Sequence, residues 1–248
     1  TGDRRERIVA PKREPGRANL PSRAVDTATE STRRHLSRHW EIYFFLTAFA
    51  LLSLQVYLFN ADIDSLSDLH GAIALFADFE AFVANRLAYI CAPAIFFPLA
   101  FLLACGRQPA WRRRYLDILG WYLILRMAIQ LIGLNILVFD SVTPKFLLIT
   151  QLLFFLPYSL SVWGWIYWRL DVIARSRNRL FFRLDCEGDQ PRPIDYFVAS
   201  FSSVFSATIS GIKGNSARAR ILILAHGFVI YDIMGLTLSR AIALVQSH

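Results

Sequence analysis

Two charged side chains and one amide stand where apolar residues are expected. Arg126 lies about nine residues into the run "DILGWYLILRMAIQLIGLNILVF", and Asp232 about eleven residues into "ILILAHGFVIYDIMGLTLSRAIA". Gln130 follows Arg126 by one helical turn and extends its face into a polar stripe. If these runs sit in hydrocarbon, each charge costs at least ~2.5–3.5 kcal/mol, so it must face protein or water and find a partner. Three uses are open: an internal Arg126–Asp232 pair that fixes helix packing, a polar path for ions or protons, or contact with another subunit or a lipid headgroup.

Other chemistry is sparse. Cys91, Cys105 and Cys186 are dispersed, without metal-ligand spacing. Among the histidines, His35, His39, His70, His226 and His248, only His35 and His39 are one turn apart, and two ligands make a poor metal site. A haem held by His226 would lack a second mid-run histidine. No glycine-rich phosphate loop or nucleophile elbow occurs. The expectation is no catalytic residue, no metal, no cofactor and no enzymatic activity.

The elements that must carry these residues are long and apolar. Hydrophobic residues make up 55% of the 248 and charged residues 19%, and mean hydropathy is +0.39. Runs of about 20 apolar residues match the length that crosses a ~30 Å hydrocarbon layer as a helix. Five qualify, near 41–60, 86–106, 117–139, 146–168 and 221–243. With no water in lipid to satisfy an open backbone, all should be helices. Pro93, Pro98 and Pro157 each remove a backbone donor inside a run and should kink it. The weaker segment "HGAIALFADFEAFVAN" has apolar residues at helical spacing, with Asp78 and Glu80 projecting from the other side. It predicts an interfacial helix near 71–84, or one packed on the chain's other helices.

Charge placement predicts orientation. The tail holds ten arginines and lysines against five acids up to residue 40, and "WRRR" and "RLDVIARSRNRLFFR" are also basic. The loop after the first run is acidic, with Asp62, Asp64 and Asp68. Basic loops mark the cytoplasmic side, so a multi-pass protein of the cell (inner) membrane with a cytoplasmic N-terminus is expected. Residues 1–40, rich in charge and with three prolines, predict an extended tail. Residues 41–170 form the four-helix transmembrane region, and 171–248 a loop, a hairpin and the last transmembrane helix. The net charge of +8 suits anionic lipid or an acidic neighbouring subunit. Without aromatic interleaving or a recognisable module, no nucleic-acid partner is expected.

One stretch has a recognisable layout: "IDYFVASFSSVFSATISGIKGNSARARILILAHGF", a short helix, a Ser/Thr/Gly bend, then an apolar helix. With "YWRLD" closing a preceding helix, it resembles the two-helix pore domain of bacterial potassium-channel-like proteins. The resemblance covers about 80 to 100 residues and implies an outer helix, a pore helix, a filter and an inner helix. It places Ser206, Ala207, Thr208, Ile209, Ser210 and Gly211 where the filter belongs. These residues depart from the Gly-Tyr-Gly signature that lets backbone carbonyls ring a dehydrated ion. The loop also starts on the cytoplasmic side here, whereas the family's enters from outside.

The fold class expected is all-α and polytopic: about five transmembrane helices plus a re-entrant or interfacial pore-helix-like segment, a sixth span being the other possibility. The function expected is an integral membrane structural or accessory subunit on an ion-channel-like scaffold lacking a working potassium filter. Its partners would be lipid, including anionic lipid, and other membrane subunits or its own copies. The alternative is an ion channel or non-selective cation pore.

Overall fold

The computed structural model describes residues 20–63, 71–104, 109–139, 145–185, 191–205 and 211–246. These are mostly helical, and five helices are long and apolar enough to cross a membrane. The chain divides into two units, Thr1–Trp40 and Glu41–His248.

In the first unit, residues 20–40 are helical, the opening part of α1 (Leu20–Ile63). The extended tail expected over residues 1–40 is therefore corrected for that stretch. Pro21 falls in the first helical turn, where a missing donor costs little, and no further proline occurs before Pro93 to stop the helix.

In the second unit the helices are the remainder of α1, α2 (Ala72–Phe82), α3 (Ala88–Ala104), α4 (Arg112–Phe139), α5 (Lys145–Arg175), α6 (Pro193–Ser202) and α7 (Ala217–Gln246). A π turn, Val83–Leu87, joins α2 to α3, so Ala72–Ala104 is one continuous 33-residue apolar helix. The segment near 71–84 is thus continuous with α3 rather than a separate helix, and it packs on α4. Asn85 and Arg86 read as a boundary, yet the backbone absorbs them in one wide turn rather than breaking.

α5 is the central helix. Of its apolar stretch 56% is buried, against 11% for α2–α3 and 22% for α7. Tyr158, Tyr167 and Phe155 on α5 are fully enclosed, as are Leu116 and Leu123 on α4. Gly120 permits a close approach of α4 and α5, because any side chain there would collide with the Trp165 ring. Proline in α3 leaves a carbonyl that the chain satisfies from α4. Pro98 cannot donate to Ala94 O, and the Tyr115 hydroxyl donates to Ala94 O at 3.1 Å and to Ile95 O at 2.7 Å.

Sidedness follows from who meets whom. Glu41, Arg113 and Arg169, from α1, α4 and α5, meet at one end. Phe59 and Phe76, from α1 and α2, meet at the other. α6 runs antiparallel along the second half of α5: Tyr196 meets Asp171, Phe197 lies over Gly164, and Ser200 Oγ donates to Leu160 O at 2.8 Å. β2 (Ile212–Gly214) then pairs antiparallel with β1 (Phe182–Leu184), in the register Phe182 to Gly214 and Leu184 to Ile212. The chain after α6 is thus returned to the end of α5 from which α6 set out. Gly211, at φ +88°, makes the turn into β2, a backbone state that a side chain disfavours.

Candidate functional site

The inward face of α4 carries Tyr122, Arg126 and Gln130 at one-turn spacing. Arg126 and Gln130 are buried, their partners come from α2 and α1, and α5 joins the cluster through Gln55. Arg126 Nη2 donates to Glu80 Oε2 at 2.7 Å, and Gln130 Nε2 to Glu80 Oε1 at 3.3 Å. Gln55 Nε2 on α1 donates to Gln130 Oε1 at 2.9 Å, and Gln151 Nε2 on α5 donates to Gln55 O at 3.3 Å. With Glu80 1% exposed and Arg126 3%, both charges are enclosed by protein, and each is the ion-pair partner of the other. The Arg126 guanidinium also sits 6.0 Å from the centre of the Phe79 ring.

Arg126 is still under-satisfied. Its Nε and Nη1 have no hydrogen-bond partner among the described residues, and the residue lines a cavity of about 620 Å³. The walls are α1 (Phe49, Leu52, Val56), α4 (Tyr122) and a run of small residues, Ala81, Ala84, Ala88 and Ala92, across the π turn. Alanines at that spacing leave the volume open, and the π turn supplies several of the lining positions.

Arg126 and Gln130 belong to one cluster, but Asp232 does not. Arg126 pairs with Glu80, whereas Asp232 Oδ2 accepts from Asn135 Nδ2 at 2.9 Å, which corrects the proposed Arg126–Asp232 pair. Both acids lie on helices beside α4, but Arg126 meets the one on α2. Glu80, expected on a solvated face, is buried, because α2 continues into α3 and packs on α4. Ser206, Ala207, Thr208, Ile209 and Ser210 lie outside the described residues; Gly211 is a turn residue whose carbonyl accepts from Asp185 N at 3.0 Å. Among the described residues no cluster of three His, Cys, Asp or Glu is placed to hold a metal.

Three further clusters were not legible in the sequence. Asp117 on α4 is held by Arg169 through two bonds of 2.7 Å and by Arg113, which also reaches Glu41 Oε2 at 3.0 Å. Asp171, fully buried, accepts from the Tyr196 hydroxyl, from Arg175 Nε at 2.6 Å and from the backbone N–H of Phe181 and Phe182. This single carboxylate fastens α6 and β1 to α5. Burial first, and then the bond to Asp171, pushes the Tyr196 phenol upward. His226 stacks on Trp163 and bonds the Tyr167 hydroxyl at 2.8 Å, closing α7 on α5. In sequence these were ordinary loop arginines and helix-end acids, because their partners lie on other helices or across a turn.

No family model, no curated protein and no solved structure matches the chain.

Proposed function

We propose that the chain is a multi-pass protein of the cell membrane, N-terminus cytoplasmic, and a structural or accessory subunit rather than an enzyme or a potassium-selective channel. The observation that carries this reading is the use made of the mid-helix polar residues. Glu80, Arg126, Gln130, Gln55 and Gln151 bond to one another across four helices. A conducting path needs polar groups that face a continuous wet channel; here, apart from the Arg126 N–H groups beside the cavity, they bond to each other, which is how a membrane scaffold locks its helices.

The outer surface suits lipid or neighbouring subunits. Ile221, Leu224, Phe228, Tyr231, Met234 and Leu238 recur every three or four residues along α7, and all are exposed. Under the positive-inside rule the end holding Arg113, Arg169 and Arg175 is cytoplasmic. α6 is then a re-entrant helix that enters and leaves from the cytoplasm along α5.

A second reading, an ion channel or non-selective cation pore, is favoured by that same re-entrant seat, which resembles a pore helix beside an outer helix. Purification in mild detergent followed by mass measurement of the intact complex separates the two. A hetero-complex supports the accessory reading, and a homotetramer the pore. Reconstituted protein is expected to be silent in bilayer recordings, and barium-blocked current reversing at the potassium potential would overturn the accessory reading.

A further inference from the structure

We propose that the cavity between α1, α3 and α4 binds a neutral, lipophilic molecule through a carbonyl oxygen, with Arg126 and Tyr122 as the donors. The inference rests on the membrane placement proposed above and goes beyond it. A chain that does not fractionate with membranes defeats that placement, whereas a membrane-extracted chain that binds nothing defeats only this inference.

Three observations select the ligand. The volume, about 620 Å³, falls within the roughly 300–1,000 Å³ of small-molecule sites. The lining is mainly apolar, with Phe49, Leu52, Val56 and the alanine wall, and exposed Tyr57 and Phe96 on its rim are compatible with a hydrocarbon tail passing toward lipid. The buried polar handle is a donor: Arg126, 3% exposed, has Nε and Nη1 unpartnered among the described residues, and a buried donor without a partner is costly. Tyr122, one turn earlier on the same cavity wall, carries a hydroxyl that can join it.

The sign of the ligand follows from Glu80. Its carboxylate already balances the guanidinium at 2.7 Å, so a carboxylate or phosphate entering the cavity would be a third buried charge with no counter-ion. A cation would meet the N–H groups of another cation. A neutral acceptor takes the free donors without disturbing the pair. Such an oxygen can come from a free lipophile such as an alkylated quinone, or from the ester carbonyl of a bilayer lipid.

The test uses the full chain in nanodiscs of an ether-linked phosphatidylcholine, which has no carbonyl, with 2-decyl-1,4-benzoquinone as the probe. Saturable one-to-one binding is expected, with decylbenzene at least about tenfold weaker. Ala88→Phe, which fills the cavity, should weaken the quinone about tenfold or more. Tyr122→Phe, which removes one oxygen and no packing volume, should weaken the quinone but not decylbenzene, and guards against an Ala88 variant that misfolds. In ester-linked nanodiscs, a fall in quinone binding identifies the lipid carbonyl as the natural source, and unchanged binding identifies a free lipophile. Absence of saturable binding, equal binding of decylbenzene, stronger binding of decanoate than of the quinone, or full binding by a folded Ala88→Phe would each overturn the proposal.

Discussion

At position 80 a carboxylate stands on the buried side of a helix whose neighbours Asp78 and Phe79 are exposed. Its partner, Arg126, is equally enclosed, and this sets the energetics. Removing one member of a buried pair strands the other, at a cost of about 3–5 kcal/mol, while an apolar replacement of both is often close to neutral. Arg126→Met and Glu80→Leu are each expected to lower thermal stability in detergent by that order, and the double variant to recover at least about half of the summed loss. Asp232→Leu should simply add to Arg126→Met, because its bonded partner is Asn135. Strict additivity of the Glu80 and Arg126 losses would mean the pair is not formed. The carboxylate was visible in the sequence, but its orientation was not: residue 80 is read as outward-facing until α2 is known to continue into α3.

At the scale of elements, α6 depends on two side chains. Tyr196 donates to the buried Asp171, and its phenol is held above its ordinary value of 10.0 by burial and by that bond. Folding therefore favours the protonated phenol. The stabilisation is complete below pH 10 and is lost as pH rises above it. Trypsin cleavage at exposed Arg177, Arg179 and Arg183 should accelerate above pH 10, as α6 and β1 loosen from α5. Tyr196→Phe should show a faster but less pH-dependent cleavage, and an unchanged alkaline acceleration would remove Tyr196 as the cause. The α4–α5 seam makes the other prediction at this scale. Gly120→Leu forces a side chain into the Trp165 ring, with an expected loss of about 1–3 kcal/mol typical of overpacking, read as a lowered unfolding temperature. A stability equal to the parent's would show that the two helices are not in contact there.

Across the whole molecule, the alternation of helix directions ties the charge pattern to the packing. Glu41, Arg113 and Arg169 share an end because the membrane-length part of α1, which opens at His39, and α4 start there and α5 finishes there. If basic loops are cytoplasmic, position 176 is expected on the cytoplasmic side and position 65, which lies outside the described residues, on the other. Single cysteines at these positions, in a background with Cys91, Cys105 and Cys186 replaced, should label with an impermeant maleimide from opposite sides. Labelling of both from one side would overturn the arrangement.

The long apolar helices were legible because hydrophobic length and composition are local properties, and the runs near 41–60, 117–139, 146–168 and 221–243 each lie within a candidate span or overlap one closely. Arg126 and Gln130 were legible as a polar face because one helical turn is also local. What they touch was not, since a mid-helix arginine with several acids in the chain has no partner until helices are placed side by side. The sequence alone determined which residues could cross a bilayer and which charges would need company there. Tertiary structure decided that the company is Glu80, that β1 and β2 return the chain after α6, and that four alanines leave a cavity beside the buried pair, because each of these depends on contacts between residues far apart in the chain.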